Sequence, residues 1–162
     1  MKKFYTYLPI GIFIFVLDQI TKYLIDKKIA LYQYVEIIPG FLRITKTYNK
    51  GVVFGFLSSH KSPFITTIIT IISITALIVL IVLFYKSENH FLSEIFMVFI
   101  IAGALGNIFD RVVRGRVVDF IEVYYRSWSW PVFNVADSFI TVGVIVLIII
   151  EIFRRDDAPG TD

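Results

Sequence analysis

Four separate apolar blocks, each close to the length of a membrane span, leave this chain few folds to choose from. They run from about Leu8 to Ile25, from Pro63 to Tyr85, from about Leu92 to Val113 and from Pro131 to Phe153. A helix needs roughly 20 apolar residues to cross a hydrocarbon layer about 30 Å thick. The pattern therefore predicts an all-α integral membrane protein with four transmembrane helices. The hydrophobic share of 57% lies above the roughly 45–50% of a soluble domain, and 162 residues suit one membrane domain, 1–162.

The first block follows Lys2 and Lys3 as a signal peptide would. It lacks a small-residue cleavage site and carries Asp18 in its apolar stretch, so a retained helix is expected. The second block has no charge and predicts a plain lipid-facing span. Between them, residues 26–62 alternate polar with β-branched or aromatic residues (Tyr32, Tyr34, Val35, Ile37, then Phe41, Leu42, Ile44) around a Pro39-Gly40 turn. Two or three short strands in a small extramembrane sheet are expected there. A tight polar loop, Lys86 to His90, joins spans two and three. The connection 114–130 carries Tyr124, Tyr125, Trp128 and Trp130, a group that marks a membrane–water interface. The tail from Asp156 is expected to be disordered.

Four spans put both termini on one side. Lys27, Lys28, Arg43, Lys46, Lys50, Lys61, Arg114, Arg116 and Arg126 all fall on the other side. Lys2, Lys3, Lys86, Arg154 and Arg155 accompany the termini. Read literally, the positive-inside rule would place the termini outside. Basic residues that hold anionic lipid headgroups would mislead such a count.

Several chemistries are excluded by inventory. There are no cysteines, hence no disulfide, thiolate nucleophile or Cys-ligated metal. The two histidines, His60 and His90, lie beside apolar blocks and form no H-E-x-x-H site. A net charge of +3 without basic runs does not suggest nucleic-acid binding. Carboxylates remain.

The polar residues of the spans gather at one depth. Asp18, Gln19 and Lys22 lie late in span one, Asn107, Asp110 and Arg111 late in span three, Asn134 and Asp137 early in span four, and Asp119 just beyond span three. At about 1.5 Å per residue, Asp137 would lie roughly 9 Å below a helix start at Pro131, with the Asp119 connection folded over it. Two close carboxylates share a proton and can act as general base and general acid on a water. Asn107 and Arg111 stand at i, i+4 and Asn134 and Asp137 at i, i+3, so each pair can face one pocket. Asp18 and Lys22 have the spacing of a structural ion pair. Gly103 and Gly106 would let helices approach closely. On residues alone, a catalytic pair, an ion or proton pathway as in a small proton-coupled transporter, and a structural bundle all stay open. A Ser-Lys protease using Lys22 would have only Ser138 at a matching depth.

Five motifs in order resemble those of the lipoprotein signal peptidase (signal peptidase II) family. They are Asp18-Gln19-Ile20-Thr21-Lys22, Asn49-Lys50-Gly51-Val52-Val53-Phe54-Gly55, Gly103 through Arg111, Gly115-Arg116-Val117-Val118-Asp119-Phe120, and Phe133-Asn134-Val135-Ala136-Asp137. Val53 departs from the family's usual small residue. The resemblance implies an aspartic endopeptidase that cuts diacylglyceryl-modified prolipoproteins before the lipidated cysteine, with Asp119 and Asp137 catalytic and no metal or other cofactor. It implies supporting or substrate-binding roles for Asp18, Lys22, Asn49, Gly103, Asn107, Arg111 and Asn134. It further implies a monomer in the bacterial cytoplasmic membrane, with cytoplasmic termini and an extracytoplasmic sheet forming a cradle. A mobile periplasmic helix over residues 120–130 would serve as a lid, and the inhibitors globomycin and myxovirescin would occupy the cleft. In that orientation the basic outer loops would contact lipid phosphates, Lys46 and Lys50 among them.

Overall fold

A computed structural model describes residues 2–49, 63–87 and 90–156. Four long helices carry the apolar blocks: α1 (Lys2–Lys28), α2 (Pro63–Lys86), α3 (Phe91–Arg114) and α4 (Val135–Asp156). Each is long and apolar enough to cross a membrane, so the chain is a multi-pass membrane protein. Helix α3 is central and packs against the other three. Most of α2 faces outward, with Ile71 and Ile72 exposed, as a lipid-facing helix requires.

Small residues set the helix spacing. A Cβ on Gly103 would stand 2.5 Å from the Ala136 carbonyl oxygen of α4, and one on Gly106 2.5 Å from Asp18 Oδ2 of α1. Only hydrogen fits at either place, so α3 meets the α4 backbone directly and takes the Asp18 carboxylate of α1 against its own backbone. At the far end of the bundle Tyr7, Phe84 and Val98 form an apolar cluster. A polar tie closes that end: Lys3 Nζ lies 2.6 Å from Glu94 Oε1 and donates to Ser87 Oγ at 2.8 Å.

At the opposite end the connections form one antiparallel sheet, ordered β1 (Tyr34–Ile38), β2 (Leu42–Asn49), β3 (Val117–Tyr125) and β4 (Trp128–Ser129). The β1–β2 turn uses Pro39 and Gly40, where Gly40 has φ +76° and Phe41 N–H closes the turn on Ile38 O. Gly115, at φ +67°, ends α3 by returning its N–H to Arg111 O. The chain then enters β3 directly.

The structure corrects four expectations. Residues 120–130 are not a helix but the β3–β4 hairpin. Val117, Val118, Ile121 and Val123 form a β-branched run, and β2 satisfies the strand's backbone through pairs such as Thr47↔Asp119 and Leu42↔Val123. The extramembrane sheet therefore draws half its strands from the second connection, with two from residues 26–62 among those described. Span four becomes helical at Val135 rather than Pro131, because Phe133 is bridged to Ile121 and its carbonyl accepts the N–H groups of Phe120 and Ile121. Lys46 is not free for lipid phosphates: it is buried, donates to Asp26 O at 2.9 Å and lies 3.5 Å from Asp26 Oδ1. Lys50, the remainder of the Asn49–Gly55 motif and the tail beyond Asp156 lie outside the described residues, as do residues 88–89 of the loop between spans two and three.

Candidate active site

The start of α4 is built by side chains from three elements. Asn134 is its N-cap: its Oδ1 accepts the Asp137 backbone N–H at 2.9 Å, while Asp137 Oδ2 accepts the Asn134 backbone N–H at 3.3 Å. This reciprocal pattern is a capping box with Asp in the third helical position. Asp18 of α1 supplies a further cap, accepting the Ala136 N–H on Oδ1 at 2.9 Å. Asp137 thus sits in the first turn, where the helix dipole favours a negative group, and not a further turn down as a start at Pro131 would put it.

Asp119 reaches the same place from β3. It is 2% exposed and accepts the Asn134 Nδ2–H at 2.6 Å. Burial pushes its carboxyl up to about 6, and the charge of Asp137 adds to the rise, while hydrogen bonds from Asn49 and Asn134 oppose it. Asn107 of α3 joins the acids from below. Its Nδ2 donates to Asp137 Oδ1 at 2.7 Å, and its Oδ1 accepts from Asn134 Nδ2 at 3.2 Å.

Beneath them lies a charged cluster with no exposure. Lys22 Nζ stands 2.8 Å from Asp18 Oδ2, 2.8 Å from Asp110 Oδ2 and 3.0 Å from Asn107 Oδ1. Asp110 also pairs with Arg114 one turn on. The expected Asp18–Lys22 pair is therefore present as part of a triad with Asp110. An ammonium facing three oxygens is a poor general base, and Ser138 Oγ is engaged with Asn134 O at 3.0 Å. The Ser-Lys arrangement finds no geometry here.

Asp119 and Asp137 both line an open pocket of about 760 Å³. Thr47, Tyr48 and Asn49 of β2 form one wall, Trp130 to Phe133 another, and Ser138, Thr141 and Val142 extend it along α4. Arg111 lines it too, with a buried Nε that has no hydrogen-bond partner among the described residues. Of the catalytic and supporting residues that the family resemblance implies, Asn49, Arg111, Asp119 and Asp137 face this pocket. Asp18, Lys22, Asn107 and Asn134 stand behind it, and Gly103 serves helix packing without lining it. The sequence reading missed Thr47 and Tyr48, although the alternation in that segment marked a strand. Among the described residues no group of three or more histidines or acids is placed to hold a metal ion.

The model of one family, Signal peptidase (SPase) II, matches residues 10–153. The chain belongs to this family. It is 44% identical over 143 residues to the lipoprotein signal peptidase of Geobacter sulfurreducens, covering 87% of each chain. It is 40% identical over 152 residues to that of Staphylococcus aureus strain MRSA252, covering 91% of this chain and 90% of that one. A solved bacterial membrane enzyme superposes with a TM-score of 0.82 at 37% identity, over 97% of this chain and 93% of that chain. Membership in the signal peptidase II family makes the chain a membrane-embedded protease that cleaves signal peptides. It gives the proton-coupled transporter alternative no support.

Proposed function

We propose that this signal peptidase II uses Asp119 and Asp137 to activate a water and cleave diacylglyceryl-modified prolipoproteins before the lipidated cysteine. The observation that carries this reading is the convergence of the two acids, from a strand and from a helix start, on one pocket through the single side chain of Asn134.

Asp119, with its raised pKa, holds the shared proton as substrate enters. Asp137 takes a proton from water as the oxygen adds to the scissile carbonyl, and Asp119 protonates the carbonyl oxygen. Collapse of the diol breaks the C–N bond: one diol hydroxyl returns its proton to Asp119 as the C=O re-forms, and the proton on Asp137 passes to the leaving amine. Arg111, with no partner at Nε among the described residues and lining the pocket, is placed to stabilise the developing oxyanion. The relatives' printed name, lipoprotein signal peptidase, supports the substrate class.

The test is a gel-shift assay on a lipidated prolipoprotein, with and without globomycin, which is expected to occupy the same pocket, as is myxovirescin. Asp119→Asn and Asp137→Asn should each abolish cleavage while the protein still unfolds cooperatively. Full cleavage by either variant overturns the reading. The proposal includes a monomer with both termini in the cytoplasm and the pocket toward the outer leaflet. The chain has no cysteine, so single cysteines report side cleanly. Arg126→Cys should react with an impermeant maleimide in intact cells and Arg154→Cys should not; the reverse labelling would invert the topology.

A further inference from the structure

A carboxamide can be turned by half a revolution at almost no change in shape, which exchanges its donor end for its acceptor end. Two such groups, Asn134 against Asp119 and Asn107 against Asp137, adjoin the acids, and each can assist a carboxylate only with its NH2 end. Turned the other way, Asn107 would set an oxygen against Asp137 Oδ1 at hydrogen-bond distance, where two acceptors repel. Something must choose the orientation.

For Asn134 the choice is made by backbone. Its Oδ1 accepts the Asp137 N–H at 2.9 Å, a group that can only donate, so its Nδ2 is turned to Asp119. For Asn107 the donor-only neighbour is Lys22, whose Nζ lies 3.0 Å from Oδ1. An ammonium has three donors and no acceptor, so it admits only the oxygen end. Asn134 Nδ2, already oriented, adds a second donor to the same oxygen at 3.2 Å. Lys22 is itself immobile: it is fully buried, and Asp18 and Asp110 flank it at 2.8 Å each. Those two carboxylates also offset its charge.

We propose that Lys22 is a positioning residue of the protease site, pinning the Asn107 carboxamide so that its NH2 end faces Asp137. This rests on the assignment of Asp119 and Asp137 as the acting acids. The lysine does not touch substrate; it acts through one amide. The sequence feature is then explained as well, since a lysine deep in a span that has only to be neutral would be better replaced by an apolar residue. The charged groups facing the acids are Arg111 of α3, whose field reaches both, and Lys22 of α1. Removing the pin frees the amide to turn and deprives Asp137 of a donor.

The test is a double-mutant cycle with Lys22→Met and Asn107→Leu, assayed on a lipidated prolipoprotein in detergent, with unfolding temperature measured in parallel. Lys22→Met should lower kcat about 10- to 100-fold, the scale of one lost hydrogen bond to a charged group, with little change in KM. In the Asn107→Leu background the same substitution should lower kcat less than about threefold. The acid limb of the kcat profile, which belongs to the acid pair, should move to higher pH in each single variant and no further in the double. Equal losses from Lys22→Met in both backgrounds would overturn the proposal, as would an unchanged pH profile. Should Lys22→Met not fold, the cycle is run in an Asp110→Asn background, which removes one of the stranded carboxylates, and the same two outcomes decide. Failure of the assignment of the acids is read separately, from cleavage by Asp119→Asn or Asp137→Asn.

Discussion

Asn134 Nδ2 stands 2.6 Å from Asp119 Oδ1, which ties the middle of a strand to the cap of a helix. The same side chain holds the Asp137 backbone through its oxygen. One carboxamide thereby fixes the relative positions of two acids that no secondary-structure element shares.

Asn134→Ala should therefore lose function by two routes. Loss of the cap costs about 1 kcal/mol of stability, and loss of the donor takes from the buried Asp119 one of the hydrogen bonds, with that of Asn49, that favour its charged form. Cleavage is expected to fall at least about a hundredfold. A variant within about threefold of the wild type in the gel-shift assay would contradict the arrangement.

The raised pKa of Asp119 gives a stability prediction with a definite sign. The carboxyl titrates at about 6 in the folded protein against an ordinary 3.8. Below pH 3.8 both states are protonated and nothing is lost. Between 3.8 and 6 the unfolded chain ionises first, so stability falls as pH rises, by on the order of 3 kcal/mol in total. Asp119→Asn should then raise the unfolding temperature at pH 8 and leave it nearly unchanged at pH 3.5. A gain of equal size at both values would remove the buried-acid explanation.

Gly103→Ala tests the helix contact that supports the site. Its new methyl group would meet the Ala136 carbonyl at 2.5 Å and Ile140 Cγ1 at 2.8 Å. Relief requires α4 to move just beside Asp137. A destabilisation of about 1–3 kcal/mol and reduced kcat are expected, read from denaturation and turnover of the same preparation.

The far end of the bundle supplies the control. Glu94→Gln breaks the Lys3–Glu94 pair, a whole bundle length from the pocket. It should lower the unfolding temperature and leave kcat unchanged at a temperature where the variant is folded. A fall in kcat there would mean the two ends are coupled.

The four spans were legible because runs such as Thr66 to Lys86 have no alternative use for so much apolar surface. The common depth of Asp18, Lys22, Asn107 and Asp137 was legible for the same reason. Asp119 was harder. Its segment was read as an interfacial loop from the aromatics after it, whereas the β-branched residues around it, Val117, Val118 and Ile121, pair with β2. The helix start was misplaced because Pro131 is a good first helical residue, yet Asn134-x-x-Asp137 was the stronger signal and is the cap. The meeting of Lys22 with both Asp110 and Asn107 could not be read locally, since it depends on how closely Gly106 lets α1 approach α3.

Asp18 and Lys22 lie one helical turn apart on α1, while the backbone that Asp18 caps belongs to α4, made later. During synthesis α1 is expected to enter the lipid as a self-neutralised pair, with one carboxylate oxygen waiting for α4. The pocket then has no complete wall until α4 arrives. A nascent chain stalled after α3 should be inserted and inert, because Asp137 and the wall that α4 supplies are still missing.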